Sequence, residues 1–240
     1  MNIYRFASPA SFYPLAGKLW PFFAMIATLL ALFGLYEGLF VAPTDFQQGE
    51  VYRIIFIHVP AAWMGMFIYL VMAFYGVLAL SFNTRLSAMM MRSLAPTGML
   101  FTFLALWTGA LWGKPTWGTY WVWDGRMTST LVLFFLYIGF MALMEAIDDT
   151  RRADKAGALL AIVGSVNIPI IYFSVKWWNS LHQGSTFSPG AGSKMAPDMV
   201  IAMVTMIFAC WAYSIAVSLI RVRAIIRERE PEHVWKGSAA

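Results

Sequence analysis

The sequence predicts an all-α polytopic membrane protein with six transmembrane helices and both termini in the cytoplasm. Three observations support this prediction: the composition, six long apolar segments and an uneven distribution of Lys and Arg. Of the 240 residues, 60% are hydrophobic and only 12% are charged, whereas a soluble domain carries about 25% charged residues. The composition therefore excludes an ordinary soluble domain.

Six segments are long and apolar enough to cross the hydrocarbon core as helices, which takes about 20 residues each. They cover residues 19–42, 55–83, 93–113, 127–147, 156–177 and 198–221. Glu37 lies near the outer end of the first segment, where a carboxylate is either functional or simply solvated. In the fifth segment, Pro169 predicts a kink because proline lacks the backbone N–H donor.

Lys and Arg residues divide unequally between the two sides of the predicted bundle. Twelve of the 17 fall on one side, and the other side holds Arg53, Lys114, Arg126, Lys176 and Lys194. Because loops rich in Lys and Arg stay in the cytoplasm, the loops near residues 43–53, 113–126 and 176–197 are predicted outside. Residues 222–240 are interpreted as a short cytoplasmic tail along anionic membrane lipid. Without an internal repeat or a linker, residues 1–240 are predicted to form one domain.

Several function classes are excluded by what the sequence lacks. One cysteine, Cys210, excludes an intrachain disulfide framework and a cysteine-based zinc or iron–sulfur site. No Walker-type glycine-rich loop is present, so any dependence on ATP must come from a partner. No convincing nucleophilic triad or carboxylate pair is present either, so we predict neither an enzyme nor catalytic residues. The excess of basic residues is assigned to membrane orientation, and no nucleic acid partner is predicted.

The third loop is unusually aromatic. Four Trp and one Tyr lie between Trp112 and Trp123, interrupted by Gly and Pro and followed by Asp124 and Arg126. Trp and Tyr favour membrane interfaces, so one interpretation is an aromatic belt. The other is a platform for a flat ligand, in which Arg126 grips a carboxylate and Asp124 fixes the loop or orients Arg126.

Two of the three histidines are predicted on the same outer side as the aromatic loop. Pro60 suits a first helical turn, which would place His58 close to the N-cap of the second span. His182 follows the outer end of the fifth span, whereas His233 lies in the tail and is given no role. A single His is most often solvated, but two imidazoles beside Trp and Arg residues fit haem, whose iron takes axial His ligands.

Four segments together resemble the haem exporter protein C (CcmC) family, part of the haem-handling membrane proteins that share a tryptophan-rich "WWD" motif. They are residues 58–63 (HVPAAW), 117–129 (WGTYWVWDGRMTS), 167–171 (NIPII) and 177–185 (WWNSLHQGS). The resemblance covers about residues 15–225 and keeps the four blocks in order. Tyr120 departs from it, because many relatives carry a second Trp there, although the aromatic ring is retained.

The resemblance implies a protein of the bacterial inner membrane that binds haem b as cargo at the periplasmic face. Implied partners are a membrane-anchored periplasmic haem chaperone, the ATPase and membrane subunits of an ABC transporter, and a small single-span subunit. His58 and His182 match the two axial ligands of the haem iron. The residues that match the tryptophan-rich contact segment are Trp117, Trp121, Trp123 and Asp124. Arg126 matches a basic residue of that segment, and we assign it to the haem propionates.

Three other functions could use the same residues. A haem-translocating transporter subunit would need a polar path or an inner-face site. A haem b redox subunit would place its histidines in the middle of helices rather than at their ends. A lyase that attaches haem directly to apocytochrome would need more extramembrane mass than this chain offers.

Overall fold

The computed structural model describes residues 8–178, 180–182, 187–188, 192–193 and 195–230. Within these residues, six helical segments are long and apolar enough to cross a membrane, which confirms the predicted fold class. Other features named above lie outside the described residues: residues 179 and 183–185 of the last motif, Lys194 and His233.

The spans are built from seven α-helices. They are α1 (Pro9–Tyr36), α2 (Ile55–Phe82), α3 (Arg85–Trp117), α4 (Gly125–Ala146), α5 (Thr150–Gly164), α6 (Asn167–Trp177) and α7 (Pro197–Arg229). A π-helical turn, Glu37–Val41, extends α1, and a 3₁₀ turn, Glu50–Ile54, leads into α2. Between α6 and α7, β1 (Phe187–Ser188) pairs with β2 (Gly192–Ser193) as a short antiparallel hairpin.

Helix α3 is longer than the sequence predicts at both ends. It begins at Arg85 rather than residue 93, and it runs through Pro115 to Trp117 instead of ending at residue 113. It ends where Gly118 adopts the left-handed region, with φ of 80°, which favours glycine because the residue has no Cβ. The first part of the Trp-rich segment is therefore helix and not loop.

The fifth span is broken rather than kinked. Helix α5 ends at Gly164, and α6 begins at Asn167 after a short turn. Pro169 lies in the first turn of α6, where its missing N–H is tolerated. The Asn167 side chain donates a 2.8 Å hydrogen bond from Nδ2 to the Ser129 carbonyl of α4. This bond fixes the start of α6 against α4. It therefore also determines the position of the residues that follow the other end of α6.

The centre of the bundle is formed by α2, α3, α4 and α5 around two fully buried tyrosines. The rings of Tyr69 and Tyr137 meet edge to face with centroids 5.0 Å apart. The Tyr137 hydroxyl donates to the Gly65 carbonyl over 2.8 Å, which satisfies a polar group that would be costly to bury alone. A Cβ at Gly98 would lie 2.1 Å from that hydroxyl, so only glycine lets α3 approach α4 here.

Helix α1 packs almost entirely on α7. Gly34 allows the close approach, because a Cβ there would lie 2.9 Å from Cγ of Met206. The opposite face of α1 exposes large apolar side chains such as Leu29 and Leu32, as expected for a helix that faces lipid.

The last turns of α7 are tied to the bundle by arginine contacts. Arg227 Nε donates to the Tyr13 hydroxyl of α1 over 2.7 Å. The Arg229 guanidinium binds both carboxylate oxygens of Asp154 in α5, with a closest distance of 2.9 Å. These arginines, counted above with the predicted lipid-facing tail, are therefore held by protein groups.

Candidate functional site

Three of the segments that connect the helices, α1–α2, α3–α4 and α6–α7, meet at one end of the bundle, which we call the site end. Trp112, near the end of α3, donates from Nε1 to Oε1 of Gln48 in the α1–α2 connection over 2.7 Å. His182, beyond α6, contacts Asp124 at the start of α4. The three loops that carry the candidate residues therefore lie together, and Arg227 and Arg229 lie at the opposite end.

His58 lies inside the first turns of α2 and not at its N-cap. The helix begins at Ile55, because the 3₁₀ turn continues directly into it, and Pro60 consequently lies in the helix interior. The prediction for the position of Pro60 was wrong by about one turn. The imidazole still lies near the site end, where its ring meets Trp112 edge to face at 5.6 Å.

The hydrogen bonds of His58 assign its tautomer. Its Nδ1 lies 3.0 Å from Oγ1 of Thr108. That hydroxyl already donates its proton to the Leu104 carbonyl over 2.6 Å, so towards His58 it acts as an acceptor. Nδ1 therefore carries the proton and Nε2 keeps its lone pair. Gly109 gives the ring its space, because a Cβ there would lie 3.0 Å from Cε1 of His58.

His182 is held by three neighbours. Its Nδ1 lies 3.0 Å from Oδ2 of Asp124, and its backbone N–H donates to Oγ of Ser180 over 3.1 Å. The Trp117 ring meets the imidazole with centroids 4.8 Å apart and an interplanar angle of 65°. Because an ionised carboxylate only accepts, the proton of neutral His182 is on Nδ1 and Nε2 is again free. Burial lowers the pKa of His182, although Asp124 opposes the shift.

Asp124 joins two elements through its two carboxylate oxygens. Oδ1 accepts from the Met127 backbone N–H over 2.8 Å and so caps α4. Oδ2 accepts from Nδ1 of His182 and from the Ser180 hydroxyl, the latter over 2.5 Å. Burial raises the pKa of Asp124, but these hydrogen bonds outweigh it and leave the pKa below the usual value. Asp124 therefore fixes the loop, as one interpretation of the sequence expected, by binding His182.

Arg126 lies in the first turn of α4 and is partly buried. Among the described residues its guanidinium has no hydrogen bond or ion pair, although the charge of Asp124 acts on it. It lines a small cavity whose roughly 270 Å³ of space between atoms includes space open to solvent. The other lining residues come from α2, α3, α4 and α6: Ala62, Gly65, Met66, Thr102, Ala105, Thr130, Leu133 and Ile171. An unpaired guanidinium beside a cavity is suited to an anionic group of a ligand.

The predicted tryptophans divide into two groups. Trp117 belongs to the His182 cluster, whereas Trp121 and Trp123 pair with each other, edge to face at 5.4 Å. Trp123 is 76% exposed, so its face is open to a ligand or a partner. The Nε1 of Trp121 is buried without a hydrogen-bond partner, which leaves one indole donor unused in a loop that is otherwise well bonded.

The two histidines and Arg126 share one electrostatic environment. The charges of both His182 and Arg126 act on the His58 imidazole. Within the described ranges, no group of three or more His, Cys, Asp or Glu residues could hold a bare metal ion. Each imidazole keeps an Nε2 lone pair that could bind iron, and a haem iron needs only two such ligands because the porphyrin supplies the other four.

Three residues outside the predicted site each hold a site residue: Thr108, Ser180 and Gln48. Thr108 could have been found, because it precedes Trp112 by four residues and therefore lies on the same helical face. Ser180 lies two residues before His182, the spacing of a local side-chain to backbone hydrogen bond. No sequence signal joins Gln48 to Trp112.

A second cavity opens at the site end beside Trp117. It encloses about 680 Å³, including space open to solvent. Its lining residues come from the α1–α2 connection and the end of α3: Gln47, Gln48, Val51, Pro115, Thr116 and Trp117.

Comparison with known proteins identifies the family of this chain. The family model described as haem exporter protein C, CcmC, matches residues 2–237 of the chain. The chain belongs to the haem exporter protein C family. Its relatives in this family include the haem exporter protein C of Haemophilus influenzae, 41% identical over 99% of this chain and 97% of the relative.

Two further relatives extend the comparison. The haem exporter protein C of Escherichia coli K12 is 42% identical over 98% of this chain and 94% of its own length. A putative mitochondrial cytochrome c biosynthesis ccmC-like protein of Marchantia polymorpha is 46% identical over 76% of this chain and 75% of its own. Family members from bacteria and from a plant mitochondrion are thus similar to this chain over most of its length.

Proposed function

We propose that this protein binds haem b at the periplasmic face of the bacterial inner membrane and delivers it to a periplasmic haem chaperone for c-type cytochrome maturation. A haem-handling role in cytochrome c maturation follows from the family, whose members are named haem exporters. The observation that carries the finer proposal is the pair of imidazoles at the site end, each with Nδ1 bonded and Nε2 free.

In this proposal, His58 and His182 are the axial ligands of the haem iron. Each Nδ1 partner holds the ring in one tautomer, so no proton has to leave before Nε2 binds iron. His58 is fixed within α2, and His182 is fixed by Asp124, so both ligands are oriented in advance of haem binding. Preorganised ligands reduce the entropy lost on binding.

The porphyrin is held by Trp117 and by the Trp121–Trp123 pair, with Arg126 on a propionate. Stacked or edge-on indoles suit a flat macrocycle, and a guanidinium pairs with a carboxylate in a two-bonded geometry. Trp123 lies at the exposed rim, where an arriving chaperone would contact both it and the haem edge.

Delivery requires that the haem also leaves. A site at the end of the bundle lets a membrane-anchored chaperone approach the ring, which a haem buried between helices would prevent. Energy from ATP would come from the ATPase of an ABC transporter partner, joined by its membrane subunits and a small single-span subunit. In this scheme the chain is a delivery subunit and not an enzyme.

The positions of the histidines favour delivery over the two main alternatives. A translocating subunit would need a second haem site at the basic end, and the described residues there include no histidine. A redox subunit that passes electrons within the bilayer would carry its ligands near the middle of helices, whereas His182 lies beyond the end of α6.

The proposal is tested by removing each ligand from the full-length protein purified with haem. We expect His58→Ala and His182→Ala to change the Soret band and reduce bound haem. His233→Ala removes the third histidine and serves as the matched control, with no expected change. Wild-type haem content and an unchanged Soret band in both ligand variants would refute the proposed site.

A further inference from the structure

The two candidate iron ligands have unlike partners at Nδ1. His58 donates to the neutral hydroxyl of Thr108 over 3.0 Å. His182 donates over the same distance, 3.0 Å, to the carboxylate of Asp124. A charge-assisted hydrogen bond is about twice as strong as a neutral one, so the two imidazoles are electronically different although their geometry is similar.

The surroundings of the Asp124 carboxylate maintain this electronic difference between the two imidazoles. Its side chain is only 4% exposed, and burial strengthens hydrogen bonds to a charged group. Oδ1 is held by the Met127 N–H, which prevents the carboxylate from rotating away. Oδ2 receives His182 and Ser180 together. Thr108, by contrast, shares its hydroxyl with the Leu104 carbonyl and offers His58 a single neutral acceptor.

A carboxylate at Nδ1 makes Nε2 a better donor to a metal, because it draws the Nδ1 proton away and increases the electron density of the ring. We propose that Asp124 is a positioning residue that makes His182 the stronger iron ligand and leaves His58 as the ligand exchanged at delivery. This inference rests on the proposed function, since it presupposes that both histidines bind iron.

The exchange step itself is a simple substitution. The bond from iron to Nε2 of His58 breaks, and a bond forms to a neutral nitrogen ligand such as an imidazole of the receiving partner. No electron is transferred and the oxidation state of the iron is unchanged. His182 retains the haem until the new bond exists, which prevents loss of free haem into the membrane.

The ranking of the ligands is tested with His58→Gly and His182→Gly in the full-length protein loaded with haem b. We expect haem to dissociate much faster from His182→Gly than from wild type, with a much smaller change in His58→Gly. Added imidazole should restore a six-coordinate spectrum in both variants, which shows that each is folded. Equal losses, or a larger loss in His58→Gly, would overturn the ranking and leave the proposed function intact. If haem dissociated from both variants as slowly as from wild type, both the ranking and the proposed function would be refuted.

The role of Asp124 is tested with Asp124→Asn, which keeps the size and capping ability of the side chain but removes its charge. We expect faster haem loss and a more positive reduction potential, because less electron density reaches the iron. Asp149→Asn is the matched control, since Asp149 caps α5 in the same way through the Arg152 N–H. In a His182→Gly background, Asp124→Asn should have no further effect. If Asp124→Asn accelerated haem loss in that background as much as in wild type, Asp124 would act on the fold rather than through His182.

Discussion

The Trp117 indole contacts the His182 imidazole edge to face, with ring centroids 4.8 Å apart. Trp117 is the last residue of α3, and His182 follows α6, so the contact joins two parts of the chain that are distant in sequence. The indole therefore restricts how the imidazole can turn, and it is positioned to contact a porphyrin bound by the same imidazole.

Replacing Trp117 with Ala should weaken haem binding without unfolding the bundle. An aromatic pair contributes about 1 kcal/mol beyond its buried area, or roughly a fivefold change in the dissociation constant. Titration of haem into the purified variants measures this change, and Trp117→Phe should recover part of it. Trp107→Ala, on an exposed apolar face of α3, is the control. Equal affinity in wild type and Trp117→Ala would exclude the contact from binding.

Arg126→Gln should weaken haem binding because it removes the predicted partner of a propionate. A hydrogen bond to a charged group contributes about 1.5 to 3 kcal/mol, or roughly 10- to 100-fold in affinity. Haem dimethyl ester carries no propionate charge, so the variant should bind it as well as wild type does. Arg92→Gln, which removes an arginine paired with Glu145, is the control. If Arg126→Gln lost the same affinity for haem and for its dimethyl ester, the assignment of Arg126 to a propionate would be contradicted.

The pH dependence of haem binding should follow the pKa of His182. Only the neutral imidazole binds iron, and burial lowers the pKa of His182 below the usual value of 6.5. The binding form therefore persists to a lower pH than for an ordinary His. Asp124 opposes this shift, so Asp124→Asn should move the acid limit of binding to still lower pH while weakening binding at neutral pH.

Absorbance titrations from pH 8 to pH 5 would measure this limit in wild type and Asp124→Asn, with Asp149→Asn as the control. A shift of the limit to higher pH in Asp124→Asn would contradict the assigned effect of the carboxylate on the His182 pKa.

Gly98→Ala should destabilise the bundle strongly. The added Cβ would lie 2.1 Å from the Tyr137 hydroxyl, and overpacking of a buried contact costs about 1 to 3 kcal/mol. Gly139→Ala in α4 is the matched control, because among the described residues its added Cβ would have only the backbone of its own helix within 4 Å. Thermal unfolding in detergent should show a lower midpoint for Gly98→Ala only. If the midpoint of Gly98→Ala equalled that of wild type, α3 and α4 would be able to move apart at this contact without loss of stability.

The sequence could predict the six spans and the meeting of the candidate loops at one end, since hydropathy and length determine both. It could not predict where α3 ends, because Gly113 and Pro115 are typical of turns in water, whereas a membrane helix tolerates them. The sequence also could not predict that Asp124 binds His182. His182 is separated from it by 58 residues, and their contact depends on how α6 is fixed against α4.

Because α1 packs almost entirely on α7, α1 is anchored by a helix that is synthesised four spans after the next one. During synthesis α1 must remain in the bilayer with only lipid around it while five further spans are inserted. A nascent chain that stops before residue 197 would leave α1 without its packing partner, so α1 joins the bundle only after α7 has been synthesised.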